Sequence, residues 1–397
     1  MSSEILKING EWLKWARETA YFDLDSISKR INESPETILK WEEEGIISFK
    51  DLEKISKEYK RPTTIFFNND SPIYPNEIPD FRTLDSKKIP ITPEIAFELR
   101  RAKNIRETFI ELIDDLEDFE VPQFDLYKFN QNNMNYLLEN LRIELGMGRA
   151  NNKKNFNHWI NVLESFGVLV FEFYNINPQQ LRGYALYYDK LPIIGINVKE
   201  KPVAKKFTLF HELAHLIIKK EGISNINTYN FYNYDEKICN KIAAELLLPS
   251  NLFENYVKNN PSVLKFEKKD ILFLSQVFGV SNQVIVRKAL DLKFITEKQY
   301  HSRIKEFNTY INPVIENNNK KSYKRKEDTP IDIKKGIHQK AVIALRKNGK
   351  YFSNFIFKAY EEDLISDIDL ALELDVSLEV MRELRNIIYK EDFNGIS

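Results

Sequence analysis

Residues 207–218 read FTLFHELAHLII, and the rest of the chain is understood from that stretch. Two of the chain's five histidines, His211 and His215, stand four residues apart with Glu212 between them. Residues i and i+4 share one face of a helix, so both imidazoles can point at one metal ion. Glu212 falls about 100° round the helix from His211, where a carboxylate can reach a water at the metal without being a ligand. Leu209, Leu213, Ile217 and Ile218 give the segment an apolar face, which predicts a buried helix. The spacing is that of the H-E-x-x-H zinc hydrolases. With five histidines and 59 acidic residues in 397, chance yields only about 0.01 such motifs per chain, so coincidence is set aside. The bland alternative is an apolar helix whose two histidines are satisfied by backbone groups, and a third ligand argues against it.

Zinc in hydrolases takes three protein ligands. Residues 235–248, DEKICNKIAAELLL, read as a helix stopped by Pro249 and offer Asp235, Glu236, Cys239 and Glu245. Glu236, Asn240, Ala243, Ala244 and Leu247 share one helical face, and the alanines allow close approach to another helix. Glu245 is nine residues from Glu236 and so lies about 180° away. Glu236 is therefore the expected third ligand. Cys239 has the chemistry of a soft ligand, but a lone cysteine on an apolar face reads as packing. Zn²⁺ held by His211, His215 and Glu236, with Glu212 as general base, is the expected centre. Tyr232, Tyr234, Arg182 and His158 could each steady an oxyanion, and the sequence does not choose among them.

At 397 residues the chain is long enough for two or three domains, and 43% hydrophobic residues can build real cores. A net charge of −1 gives no global field toward nucleic acid or membrane, so any DNA binding must come from a local patch. The one cysteine rules out an internal disulfide and fits a reducing cytoplasm. The charged start, MSSEILKING, has no apolar signal core, and no run reaches the length of a membrane span.

In chain order, residues 1–70 read as a five-helix bundle with a helix-turn-helix inside it. Asp25 is the expected cap of its second helix. Ser34 and Pro35 open the third, which Gly45 ends, and Ser48 caps the fourth. The recognition helix would be 35–44. Lys29, Arg30, Thr37 and Lys40 are the candidate DNA contacts. Eleven basic against fourteen acidic residues in 1–70, and Glu36, Glu42, Glu43 and Glu44 in that helix, oppose phosphate binding. Residues 71–92 form a proline-rich linker, and 93–262 the metal-binding domain. Within it, helices over 93–120 and 131–144 precede three strands at 168–174, 181–188 and 192–198, with Asp189-Lys190 as a hairpin turn. An exposed edge of one of the last two strands could hold a substrate peptide. Residues 221–234 read as a loop over the site. A small helix-turn-helix-like unit fills 263–316, with Ser281 as cap and Arg287 and Lys288 on its second helix. Residues 317–336 are a basic linker, and 337–397 a last helical unit. The expected class is α+β, mostly helical, with a small mixed sheet.

FTLFHELAHLII followed by DEKICNKIAAELLLP resembles the paired motif of the ImmA/IrrE metallopeptidases, FTLAHELAH followed by E-x-x-A-N-x-F-A-A-x-L-L-x-P. Glu236, Asn240, Ala243, Ala244, Leu246, Leu247 and Pro249 fall on the second motif. Cys239 stands where the family has Ala, and Ile242 where it has Phe. Upstream, LKWARETAYFDLDSISKRINESPETILKWEEEG, KRPTTIFF and PDFRTL resemble longer members that carry an N-terminal Xre-type helix-turn-helix. The resemblance implies a gluzincin-like core in which His211, His215 and Glu236 bind zinc and Glu212 is catalytic. It implies cleavage of a helix-turn-helix repressor, or of a partner encoded nearby, releasing mobile-element, stress or DNA-damage genes. Long members are also associated with toxin–antitoxin and phage-defence loci. The alternative expectation is a DNA-binding regulator, or a toxin or antitoxin component, whose metal domain senses or scaffolds. A homodimer fits either reading, and no membrane partner is expected.

Overall fold

The computed structural model describes residues 4–74, 91–116, 119–122, 124, 134–147, 155–219, 222–224, 234–309 and 333–394. Contacts divide the chain into Met1–Asn104 and Ile105–Ser397, and the division falls inside one long helix, α5 (Pro93–Ile113).

In the first unit, short polar side chains start the helices. Asn9 caps α1 (Gly10–Thr19), Asp23 caps α2 (Leu24–Ile31), Ser34 caps α3 (Pro35–Glu44) and Ser48 caps α4 (Phe49–Tyr59). Each accepts a hydrogen bond from a first-turn N–H that has no partner within its helix. Asp23 takes the role expected of Asp25, which sits inside the first turn instead. Gly45, at φ 65°, ends α3 in the left-handed region where a side chain would be strained. A 3-10 turn, Thr63–Phe67, follows α4. Two strands absent from the sequence reading, β1 (Ile5–Lys7) and β2 (Ile46–Ser48), pair antiparallel with Leu6 opposite Ile47. Leu13, Ile27, Ile38, Leu52, Ile55 and Phe66 are fully buried at the centre.

Arg17 and Glu42 form a buried two-pronged pair, with Nε to Oε1 at 2.7 Å and Nη2 to Oε2 at 3.0 Å. Arg17 also donates to the Phe22 carbonyl at 3.2 Å. The hydrogen bonds it donates to Glu42, outweighing burial, raise the guanidinium pKa. Glu42 therefore does not belong to the outward acidic face of α3, which is left with Glu36, Glu43 and Glu44. Removing one partner of a buried pair strands the other charge. Arg17→Ala is expected to cost about 3–5 kcal/mol, read as a lowered urea midpoint. An unchanged midpoint would show that the pair does not hold this unit together.

In the second unit, β3 (Leu169–Phe173), β4 (Gly183–Leu186), β5 (Ile193–Asn197) and β6 (Gly222–Ser224) form a mixed sheet in the order β3-β5-β4-β6. β3 runs parallel to β5, and the other pairs are antiparallel. The first three strands are buried along their whole length, which explains their continuous rather than alternating apolar runs. β4 and β5 pair as the hairpin expected, although the connection turns at Leu191, at φ 56°. Neither is a free edge: β5 is central and β6 covers β4. The stretch read as a loop over the site thus begins with a strand, and residues 225–233 lie outside the described residues.

Before the sheet come α5, which ends at Ile113 rather than near 120, α6 (Met134–Glu144) and α7 (Phe156–Glu164). After it come α8 (Pro202–Ile217), α9 (Tyr234–Leu247) and α10 (Ser250–Asn259). A helical group follows, α11 (Lys268–Phe278), α12 (Asn282–Asp291) and α13 (Glu297–Thr309). The chain closes with α14 (Ile333–Asn348), α15 (Lys350–Glu361), α16 (Asp367–Glu373) and α17 (Leu378–Asn394). The architecture is α+β and mostly helical, with one small mixed sheet carrying the site helices. Among the described residues, no helix is long and apolar enough to cross a membrane.

Candidate metal centre

α8 starts on Pro202, whose missing N–H costs nothing at a first helical position. Every residue from Thr208 through Ile217 is buried, His211, Glu212 and His215 included. Close approach of the sheet explains this. A Cβ on Gly183 of β4 would stand 2.7 Å from Thr208 Cγ2 and 2.8 Å from Glu212 Oε1, so only glycine lets the strand lie that near. On the other side α9 packs against α8, with Cys239, Ile242, Ala243 and Leu246 fully buried.

Three donor atoms converge between these helices. His211 Nε2 and His215 Nε2 are 3.2 Å apart. Glu236 Oε2 is 3.2 Å from His211 Nε2, and Glu236 Oε1 is 3.2 Å from His215 Nε2. Ligands at about 2.0–2.1 Å from a tetrahedral zinc lie about 3.3 Å from one another. The spacing and the two-imidazole, one-carboxylate set therefore fit zinc. The charges fit as well. Burial works against ionising Glu236, but hydrogen bonds and charge from both histidines outweigh it and hold the carboxyl well below the usual range. Burial also disfavours a charged His211, and Glu236 and Glu212 overcome it, raising that pKa. A divalent cation would take over the role of those protons. Glu212, fully buried on α8, stands outside the converging trio.

Packing helps to orient the rings, beside a side-chain hydrogen bond between His211 and Asn240. Nδ1 of both histidines is buried without a hydrogen-bond partner among the described residues. Phe207 stacks on His211 at 6.2 Å between centroids. The backbone of Gly222 lies against His215, where an added Cβ would come within 2.6 Å of the ring. Gly222→Ala is therefore expected to turn the imidazole and weaken zinc binding by about 10–100-fold, the range seen when ligand orientation is lost. Competition with a chelator of known affinity measures it, and unchanged affinity would mean β6 does not orient the ring.

The remaining expected residues are placed as follows. Cys239 is fully buried, and burial together with nearby Glu236, Glu212 and Asp235 pushes its thiol pKa well up, which suits packing. Glu245 points away from the trio, to Lys288 of α12 and to Ser250, whose N–H it accepts at 2.9 Å. Lys288 is accordingly buried. Arg182 pairs with Glu200 at 3.3 Å, and Glu200 accepts from Thr208 Oγ1 at 2.7 Å. This network beside α8 was not anticipated. His158 sits edge-on to Trp159 on α7, and the structure does not bring it into the trio. Tyr234 opens α9, while Tyr232 lies outside the described residues. Of the candidate DNA contacts, Arg30 is held by Glu94 at 2.6 Å and Glu58 at 3.4 Å. Thr37 joins the Ser34 cap at 3.1 Å, Lys40 is near Glu44 at 3.9 Å, and Lys29 is exposed near the end of α2. Gly183 and Gly222 were also missed, and glycine inside a β-rich run was the only signal available for Gly183.

No curated protein and no solved structure matches the chain. Residues 163–290, which hold the sheet and both site helices, match the family model of the IrrE N-terminal-like domain, a peptidase family, and so resemble metallopeptidases of the IrrE/ImmA type.

Proposed function

We propose that the chain is a zinc-dependent endopeptidase that cuts a protein regulator, a helix-turn-helix repressor or a partner encoded nearby, in mobile-element, stress or phage-defence control. The observation that carries this reading is the buried triangle of His211, His215 and Glu236 donors, one helical step from Glu212. When bound there, zinc supplies Lewis-acid polarisation of the scissile carbonyl and acidifies water. Glu212 takes the proton of the attacking water and passes it to the leaving amine. The histidines and Glu236 are held because α8 is buried from Thr208 to Ile217 and α9 packs against it. Among the described residues β6 is the sheet edge next to His215, and an extended peptide pairing with it would lie beside the site.

A second reading, a DNA-binding regulator whose metal domain senses or scaffolds, draws support from Glu42. Its burial against Arg17 removes one negative charge from the outward face of α3. The two readings separate in one experiment. Mass spectrometry of cells expressing wild type or Glu212→Gln side by side is expected to find a cleaved protein only with the wild type. Identical proteomes, with salt-dependent operator binding by both proteins, would favour the regulator.

A further inference from the structure

The last helices repeat a module used earlier in the chain. α11 to α13 and α14 to α16 align without a gap, each residue of the second copy lying 70 positions after its counterpart. Gly279 and Gly349 both sit between the first and second helices, at φ 64° and 77°. Lys293 and Asp363 both turn left-handed after the second, at 62° and 60°. The Phe294 N–H donates to the Ala289 carbonyl at 2.8 Å, and the Leu364 N–H to the Ala359 carbonyl at 3.0 Å. Thr296 and Ser366 then cap the third helix, answered three residues on by Gln299 and Asp369. Ile285 and Phe355, like Ala289 and Ala359, are fully buried at matching positions.

The copies part on the third helix. α13 exposes Lys298 and Ser302. At the matching positions α16 exposes Ile368 at 67% and Leu372 at 71%. These two share a helical face, and Leu364 and Leu378 on either side in sequence are exposed as well. The earlier copy shows that the module folds with polar residues there, so folding does not demand the apolar pair. Charge surrounds it. Residues 359–381 contain eight acidic side chains and no lysine or arginine. Arg385, Lys358 and Lys347 hold Glu361, Glu362 and Asp375 at 3.0, 3.7 and 2.6 Å. Asp363, Asp367, Asp369, Glu373 and Glu379 leave the stretch negative.

We infer that this face of α16 docks a cationic, amphipathic segment of another protein, its apolar side chains over Ile368 and Leu372 and its Lys or Arg side chains against the acids. The sign of the charge disfavours nucleic acid and anionic membrane surfaces. The inference does not depend on the metal centre.

The test uses the full chain and Ile368→Lys/Leu372→Ser, which installs the earlier copy's residues. The probe is a fluorescein-labelled helical peptide of leucine and lysine, with a leucine–glutamate peptide of the same pattern as control, read by anisotropy. The lysine peptide is expected to bind the wild type, to bind the double variant at least about tenfold more weakly, and to weaken with salt. The control is expected not to bind. Equal affinity for wild type and variant, or equal binding of the control, would overturn the inference. A wild-type dimer in sedimentation that the variant abolishes would also overturn it, assigning the face to a second copy. If the variant melts early, hydroxyl-radical footprinting of the wild type decides: protection of Ile368 and Leu372 by the lysine peptide is expected, and unchanged reactivity contradicts the docking.

Discussion

Glu212→Gln is expected to lower the rate of peptide-bond cleavage by about 10²–10⁴-fold, the contribution of a positioned general base, while zinc stays at one ion per chain. The amide keeps the size of the carboxylate and can still hydrogen-bond, but it cannot accept the proton of the attacking water. Glu212 is fully buried on α8 and stands outside the converging donors, so its loss should not release the metal. Gly183 supports the assignment from the opposite side, because β4 reaches Glu212 only where a side chain is missing. Kinetics on whichever protein only the wild type cleaves, paired with metal analysis, read both halves of the result. Activity within about tenfold of wild type would remove Glu212 from the chemistry.

The second large effect concerns Glu164, at the end of α7. Its carboxyl is buried, and Oε1 accepts from the Tyr351 N–H at 3.2 Å, just after Gly349 turns the chain into α15. Burial pushes its pKa up to about 8, and backbone hydrogen bonds from Tyr351 and Lys350, with the Lys350 charge, pull it back only in part. The folded value lies above the unfolded one, near 4.5. The contribution to stability is therefore complete below about pH 4.5, falls as pH rises toward 8, and is gone above it. The full span is on the order of 5 kcal/mol. Glu164→Gln stays neutral throughout. The stability of the variant relative to wild type should therefore grow steadily between pH 4.5 and 8, read from urea midpoints at each pH. A constant difference would mean the carboxyl is as well solvated folded as unfolded.

What could be read beforehand was what depends on spacing along one element. His211 and His215 are brought together by a single helix, and Glu236 was separated from Glu245 by helical phase alone. Ser34, Ser48 and Ser281 were legible as caps because a cap bonds within its own turn. Asp23 and Asp25 were not separable, since both stand at the same turn and only the backbone decides which is the cap. Non-local features stayed hidden. Nothing near Glu42 in sequence announces Arg17, and nothing near Lys288 announces Glu245. β1 and β2 are too short to show a period and find each other across three helices. The roles of Gly183 and Gly222 depend on which side chain another element brings within 3 Å, which a glycine cannot advertise. The free strand edge was misassigned for the same reason: three residues of β6, inside a polar run, cover β4.

X-ray absorption at the zinc edge of the purified chain tests the central claim most directly. Two imidazole nitrogens and a carboxylate oxygen at about 2.0–2.2 Å, with the signal lost in Glu236→Ala, are the predicted result. A sulfur shell at about 2.3 Å, which only Cys239 or a methionine could supply, or an unchanged spectrum in Glu236→Ala, would contradict it.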